Sequence, residues 1–106
     1  MDALKLITEA QFQKSVTLVA EEAGWFVYHD YDSRRSNPGF PDLTMVSEDG
    51  RIIFAELKSQ KGRVKKEQQA WLDRLGKNPG VEVYLWRPSD LDFINKTLMG
   101  QQKPLI

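Results

Sequence analysis

The chain has 106 residues and a formal net charge of zero, and 41% of its residues are hydrophobic and 28% charged. Since a chain of this length can bury only one hydrophobic core, we expect a single domain over residues 1–106. The balanced charge argues against a protein that coats nucleic acid over its whole surface. The lack of cysteine excludes disulfides, thiolate zinc sites and thiol nucleophiles.

No apolar run approaches the roughly 20 residues that a membrane-spanning helix needs. The N-terminus also lacks the basic and apolar segments of a signal peptide. We therefore expect no membrane partner, and a reducing cytoplasm fits the absence of cysteine.

The first predicted element is a helix from about Glu9 to Ala23. Thr8 and Gln11 have the spacing of a capping box, in which two side chains satisfy free backbone N–H groups at the start of a helix. Apolar residues recur after them at helical spacing, and Gly24 ends the pattern.

A strand and a loop are predicted next. Residues 25–31, WFVYHDY, are aromatic and β-prone, which predicts a strand. Residues 32–41 are dense in turn-forming residues and carry Arg34 and Arg35, which predicts a loop. The two arginines lie either in a solvated loop or in a loop that grips DNA, and the sequence favours neither.

A β-hairpin is predicted over residues 42–47 and 51–59. A three-residue turn over 48–50 would place its glycine in the left-handed position that such a turn requires, and it would set Asp42 opposite Glu56. A two-residue turn would point the two carboxylates to opposite faces of the sheet. The glycine favours the three-residue turn, so we predict that the two carboxylates lie on one side.

Four segments complete the chain. Residues 59–65 read as a basic loop, 66–76 as a short helix, 81–87 as a strand, and 89–100 as a last helix capped by Ser89. The order α-β-β-β-α-β-α predicts an α/β fold with a mixed central sheet flanked by helices.

Three charged side chains are predicted to meet at the ends of the hairpin strands. Glu56 and Lys58 share a face because side chains alternate along a strand, and the predicted turn adds Asp42. Two close carboxylates repel each other unless a cation lies between them, and oxygen ligands favour Mg²⁺ or Mn²⁺. With Lys58 to neutralise developing charge, the cluster suits phosphodiester hydrolysis. The alternative is an ordinary surface pair of opposite charges.

A basic run without acids follows this cluster directly. It would supply phosphate contacts next to the predicted cleavage site, although a solvated face would also be basic. Its members after Lys58 are Lys61, Arg63, Lys65 and Lys66.

At these residues the sequence resembles the PD-(D/E)XK nuclease superfamily, through Pro41-Asp42 and the ELK segment 56–58. A longer ordered series is similar to one branch, the VRR-NUC (virus-type replication-repair nuclease) domain. The resemblance implies a restriction-endonuclease-like core of the stand-alone phage or bacterial type, located in the host cytoplasm if a phage encodes it. The segments that carry it, between Thr8 and Asp90, are TEAQFQ, GFPDL, FAELKSQKGR, EQQAW and VYLWRPSD.

The resemblance also implies a metal site. Asp42 and Glu56 would ligate Mg²⁺ or Mn²⁺, with the backbone carbonyl of Leu57 as a third ligand. Glu9 would approach the metal, often through water. Without the resemblance, Glu9 is explained by the favourable interaction of an acid with the positive end of its own helix.

For the lysine, the resemblance implies a catalytic role. Lys58 would position or activate the attacking water and stabilise the transition state. Gln68 would lie beside this lysine, and Gln69 is the alternative, although the spacing to Trp71 favours Gln68.

The function that follows is a metal-dependent, structure-selective endodeoxyribonuclease without an organic cofactor. Its substrate would be branched DNA such as a Holliday junction, whose two equivalent strands a homodimer can cut symmetrically. A flap or single-strand nuclease, or a non-catalytic nucleic-acid-binding module that retains the fold, are the alternatives. The candidate dimer surface is the last helix, with Leu91, Phe93, Ile94 and Leu98, together with the C-terminal segment PLI.

Overall fold

The computed structural model describes residues 3–30 and 37–99, so Arg34 and Arg35 lie outside the described residues. None of the helices in these two ranges is long and apolar enough to cross a membrane. The elements in chain order are a 3₁₀ turn Ala3–Leu6, α1 Glu9–Glu22, β1 Phe26–His29, β2 Leu43–Val46, β3 Ile52–Leu57, α2 Lys66–Leu75, β4 Glu82–Trp86, a 3₁₀ turn Pro88–Asp90 and α3 Leu91–Met99.

The predicted capping box begins α1. The N–H of Gln11 donates to the hydroxyl of Thr8 at 3.1 Å, and the N–H of Thr8 donates to the side-chain carbonyl of Gln11 at 2.9 Å. These two bonds satisfy backbone donors that the helix leaves free. They also fix Glu9 as the first residue of α1.

The four strands form one sheet in the order β1-β2-β3-β4. β1 pairs with β2, and β2 with β3, in antiparallel orientation, whereas β3 and β4 are parallel. A parallel pair needs a crossover connection, and α2 lies in that connection. The predicted α/β fold with a mixed sheet flanked by helices is confirmed.

The hairpin between β2 and β3 has the predicted three-residue turn. The N–H of Ser47 donates to the carbonyl of Arg51 at 2.9 Å, and Gly50 has a φ of 90°, which glycine adopts without steric penalty. The pairing of β2 with β3 continues this register. Asp42 therefore lies opposite Glu56, as predicted.

Each face of the sheet is covered by different helices. α1 and α3 contact each other and cover one face, while α2 packs against β3 and β4 on the other face. On that second face, the ring of Phe40 lies between Phe54 and Trp71 in two edge-to-face contacts. The buried core beneath α1 and α3 consists of Phe12, Val16, Ala20, Trp25, Leu43, Met45, Ile53, Ala55, Leu57, Trp86, Ile94 and Leu98.

The start of the last helix differs from the prediction. α3 begins at Leu91, and Ser89 lies in the preceding 3₁₀ turn, so the prediction that Ser89 caps this helix is wrong. The reason is a competing tertiary contact, because both the N–H and the hydroxyl of Ser89 bond to the side-chain amide of Gln60.

The segment just before β2 is fixed against α2. Gly39 has a φ of 91°, and a Cβ added to it would lie 2.5 Å from the carbonyl carbon of Glu67. The indole N–H of Trp71 donates to the carbonyl of Pro38 at 3.1 Å. This close approach, which only glycine permits, sets the position at which the chain enters β2.

Replacing Gly39 by alanine should therefore destabilise the protein more than replacing Gly50. Alanine in the left-handed conformation loses about 1–2 kcal/mol at either position. At Gly50 nothing lies within 4 Å of the added Cβ, whereas at Gly39 it also collides with the backbone of α2. Urea denaturation of the two variants measures the difference, and equal losses would contradict the close approach of this segment to α2.

Candidate active site

Asp42 lies at the entrance to β2, where it is half-buried. The N–H of Leu57, at the end of β3, donates to Oδ2 of Asp42 at 2.8 Å. The Asp42 carboxylate thus bonds to the neighbouring strand at the point where the registered pairs of β2 and β3 end. This bond fixes one oxygen of Asp42 beside the last residues of β3.

Glu56 lies next to it and is almost completely buried, with 1% of its surface exposed. Neither of its carboxylate oxygens has a hydrogen-bond partner in the part of the chain that the structure describes. The Nζ atom of Lys58 lies 3.9 Å from Oε2 of Glu56, which is too far for a hydrogen bond. Lys58 itself is only 8% exposed, so the alternative of an ordinary surface ion pair is wrong.

The electrostatics of this cluster favour a bound proton or cation. Burial, and next the negative charge of Asp42, raise the pKa of Glu56 to about 8, although the charge of Lys58 and, to a smaller extent, the backbone of Asp42 oppose the rise. The Asp42 backbone does not meet the geometry of a hydrogen bond to Glu56. Burial also raises the pKa of Asp42. The hydrogen bond from the Leu57 N–H and the charge of Lys58 lower this pKa, but by less than burial raises it. A buried carboxylate that has no donor is unfavourable in its charged form, so a positive partner stabilises the ionised pair.

The residues present fit a divalent cation. The unpartnered oxygens of Glu56 and the Asp42 carboxylate are hard oxygen donors, which suit Mg²⁺ or Mn²⁺, and the Leu57 carbonyl belongs to the same end of β3. Over residues 3–30 and 37–99, no three Asp, Glu, His or Cys side chains form a group that could hold a metal ion. The two carboxylates would therefore need backbone oxygen and water to complete a coordination shell.

Glu9 lies within electrostatic reach of the pair. Burial, followed by the charge of Asp42, raises the pKa of Glu9, while Lys58 and Lys65 lower it. The charge of Glu9 in turn adds to the rise in the pKa of Glu56 that burial and Asp42 cause. The fold thus brings the start of α1 close enough to the cluster for these charges to influence one another.

The two neighbouring glutamines differ in burial and in hydrogen-bond partners. Gln68 is half-buried and Gln69 is exposed, and Gln69 donates to the carboxylate of Asp73 at 2.8 Å. The side-chain oxygen of Gln68 accepts from the N–H of Lys65 at 2.8 Å, which caps α2. A contact of Gln68 with the cluster would therefore use its amide nitrogen.

The four predicted basic residues that follow Lys58 lie exposed on the loop after β3 and at the start of α2. Lys65 is the N-cap of α2 and Lys66 its first residue. Cations at the N-terminus of a helix are unfavourable, and Glu67 offsets only part of this repulsion. The other two exposed members of the set are Lys61 and Arg63.

His29 is a neighbour of the cluster that was not assigned to the site from the sequence. The amide nitrogen of Gln13 lies 3.0 Å from Nδ1 of His29, which joins α1 to β1. The charge of His29 also opposes the rise in the pKa of Asp42 that burial causes, after the Leu57 N–H and Lys58. This contact joins residues that are distant in sequence, so no local pattern could have indicated it.

β1, β2 and β3 form an antiparallel unit, and α2 crosses over to the parallel strand β4. Asp42 directly precedes β2, Glu56 lies near the end of β3, and Lys58 directly follows it. This arrangement matches the pattern of nuclease domains of the PD-(D/E)XK type. The profile of the VRR-NUC domain matches residues 5–89 of the chain. The chain therefore belongs to the VRR-NUC domain family.

A solved structure described as a VRR_NUC domain has the same fold. It is 24% identical in sequence, the match covers 81% of this chain and 91% of that one, and the TM-score is 0.67. A search of curated proteins finds no match.

Replacing Glu56 by glutamine should stabilise the metal-free protein at about pH 8. The pKa of Glu56 is higher in the folded state than its ordinary value of 4.5, so stability is greatest below that ordinary value and falls as pH rises through about 8. Glutamine removes this dependence. Thermal melting in EDTA from about pH 5 to about pH 8.5 should show the wild type losing a few degrees relative to Glu56→Gln.

Glu82 offers a control of opposite sign. Arg51 donates two hydrogen bonds of 2.7 Å to Glu82, and they lower the pKa of Glu82. The ionised Glu82 therefore stabilises the folded protein above the ordinary pKa of a glutamate, and this stability is lost as pH falls through the lowered pKa. Glu82→Gln should therefore destabilise the protein at pH 8. If the melting temperatures of the wild type and Glu56→Gln differ by the same amount at every pH, the raised pKa of a buried Glu56 is refuted.

Proposed function

We propose that the protein is a metal-dependent, structure-selective endodeoxyribonuclease, a single VRR-NUC domain that hydrolyses phosphodiester bonds of DNA. The observation that carries the proposal is the buried carboxylate of Glu56, which has no hydrogen-bond partner among the described residues and lies beside Asp42 and Lys58. Such an arrangement is unfavourable for folding. The same arrangement becomes favourable when a cation binds the carboxylates and a phosphate binds next to that cation.

The cation would be held by Asp42, Glu56 and the Leu57 carbonyl, with Glu9 acting through water. A divalent ion at this place would supply Lewis acidity towards the scissile phosphate and the attacking water. Mg²⁺ and Mn²⁺ suit a donor set made only of oxygen. No organic cofactor is needed for hydrolysis by this route.

Lys58 would act on the phosphate itself. Its ammonium group is nearly buried and lies 3.9 Å from the Glu56 carboxylate, without a hydrogen bond between the two. The group is therefore able to donate to a non-bridging phosphate oxygen or to hold the attacking water. A cation placed in advance where negative charge develops is an effective form of transition-state stabilisation.

DNA would be held by the exposed basic residues that follow Lys58. Lys65 and Lys66 stand at the N-terminus of α2, where a bound phosphate would relieve their repulsion with the helix dipole. Such contacts position the backbone without reading sequence, which fits recognition by DNA shape. Lys61 and Arg63 belong to this set, and we extend it to Arg34 and Arg35.

A non-catalytic module that retains the fold is the competing function. Binding of a polyanion needs the basic loop but gains nothing from two adjacent carboxylates, since they repel phosphate. The charge of Asp42 is, next to burial, the largest cause of the raised pKa of Glu56, which shows that the two carboxylates lie close together. This closeness favours an enzyme over a binding module.

Lys58→Ala should abolish cleavage while DNA binding largely survives. The test is a labelled panel of four-way junction, 5′ flap, splayed arm and duplex, each with Mg²⁺ or Mn²⁺. Loss of a pre-placed charge in such a site lowers the rate about 10²–10³-fold. The exposed Lys77 gives a matched control, because Lys77→Ala removes the same charge and should cleave like the wild type.

The same panel separates the versions of the proposal. Preferential cutting of the junction supports the junction version, whereas cutting of the flap or splayed arm supports the flap or single-strand version. If the wild type binds these substrates but cuts none of them with either metal, the enzyme proposal is wrong and the binding module stands.

A homodimer is the assembly that suits a junction, since two symmetric cuts need two sites. Ile94 and Leu98 are buried in the protein's own core, so the prediction that they form the dimer surface is wrong. Leu91 and Phe93 remain 42% and 52% exposed. The open face of β1 offers a second apolar surface through Phe26, which is 83% exposed; the PLI segment lies outside the described residues.

At micromolar concentration the protein should have twice the chain mass of 12.2 kDa. Light scattering coupled to gel filtration measures this mass. Phe93→Glu and Phe26→Glu each place a charge on one of the two apolar surfaces, and the variant that becomes monomeric identifies the interface. A monomeric wild type would count against the junction version of the function.

A further inference from the structure

The turn that follows Lys58 is wrapped around one arginine. The N–H of Gly62 donates to the carbonyl of Ser59 at 3.1 Å, which closes a β-turn. Nη1 of Arg87 donates to the carbonyls of Ser59 and Gly62 at 2.8 Å each, and to that of Gln60 at 3.4 Å. One guanidinium nitrogen therefore binds three carbonyls of the same turn.

A second contact joins the turn to the segment that carries Arg87. The side chain of Gln60 donates to the hydroxyl of Ser89 at 3.1 Å and accepts from its N–H at 3.0 Å. The segment 87–90 is itself held by a bond of 2.8 Å from the N–H of Arg87 to the carboxylate of Asp90. The turn after β3 is thus fixed to the end of β4 at two points.

This turn confines the side chain of Lys58. The lysine's own N–H donates to the carbonyl of Trp86 at 3.0 Å, and a Cβ on Gly62 would lie 3.6 Å from Cδ of Lys58. The turn therefore passes along the aliphatic stem of the lysine. Since the ammonium group lies 3.9 Å from Glu56, beyond hydrogen-bond distance, the walls around the stem contribute to setting its position.

We propose that Arg87 is a positioning residue that acts on Lys58 through the turn Ser59–Gly62, an inference that rests on the proposed function. Arginine suits this task because its planar guanidinium group offers several donors in a fixed arrangement, whereas lysine offers a point charge on a flexible stem. Without Arg87, the three carbonyls lose a common donor, and the turn no longer holds the stem of Lys58 in one place.

Arg87→Met tests the inference, because methionine keeps an unbranched stem and removes the donors. Hydrogen exchange measured by mass spectrometry should show faster exchange confined to the segment from Lys58 to Gly62. On the best substrate of the panel, kcat should fall about 10–100-fold, as small misplacements of a catalytic group do, with KM changed less than about twofold. Arg87→Lys should lie between the wild type and Arg87→Met.

Arg51 gives the matched control at the opposite end of the sheet. It is also a partly exposed arginine, and it makes two hydrogen bonds of 2.7 Å to Glu82 and lies over the ring of Trp25. Arg51→Met should lower the melting temperature while kcat, measured well below that temperature, stays unchanged. The comparison separates loss of stability from loss of positioning.

Three results would overturn the inference in an active protein. They are unchanged exchange in the turn, an unchanged kcat despite faster exchange, and a rise in KM alone, which would make the turn a DNA contact only. If the wild type cleaves nothing, the proposed function fails and the reaction role of Arg87 fails with it. If the wild type is active but Arg87→Met shows unchanged hydrogen exchange in the turn, only the positioning role of Arg87 is refuted.

Discussion

The register of one β-hairpin governs both the core and the site. Side chains alternate along a strand, so a shift of one residue between β2 and β3 would separate Asp42 from Glu56 and turn the core residues of these strands outwards. Gly50 fixes the register at the tip of the hairpin. The bond from the Leu57 N–H to Asp42 holds the other end. Burial of the core and the meeting of the carboxylates therefore require the same pairing.

The segments on either side of the site residues are held from outside the hairpin. Before Asp42, Gly39 packs directly on the backbone of α2, and the indole of Trp71 donates a hydrogen bond to the Pro38 carbonyl. After Lys58, the turn is bound by Arg87. The repulsion within the carboxylate pair is thus opposed by contacts made elsewhere, on elements that carry no part of the pair. Rigid support of this kind is what a site of like charges needs.

The sequence predicted those features that local chemistry determines. The capping box at Thr8 and the turn at Gly50 depend on residues three or fewer positions apart, and the parity of Glu56 and Lys58 follows from the strand itself. Burial of Glu56 without a donor could not be predicted, because it depends on how helices cover the sheet. Contacts such as that of Gln60 with Ser89 join distant segments, and for that reason Ser89 was assigned wrongly as a cap.

In the proposed function, the cluster would also link stability to cation binding. A small domain is stable by only several kcal/mol. The buried Glu56 carboxylate, which has no hydrogen-bond partner within residues 3–30 and 37–99, works against that margin at neutral pH, where its raised pKa keeps part of the population protonated. A cation that binds only the folded protein adds stability in proportion to the logarithm of its concentration. Folding alone would favour an uncharged side chain at position 56. A cation bound as proposed would explain the glutamate, and the protein would then reach its full stability only with that cation present.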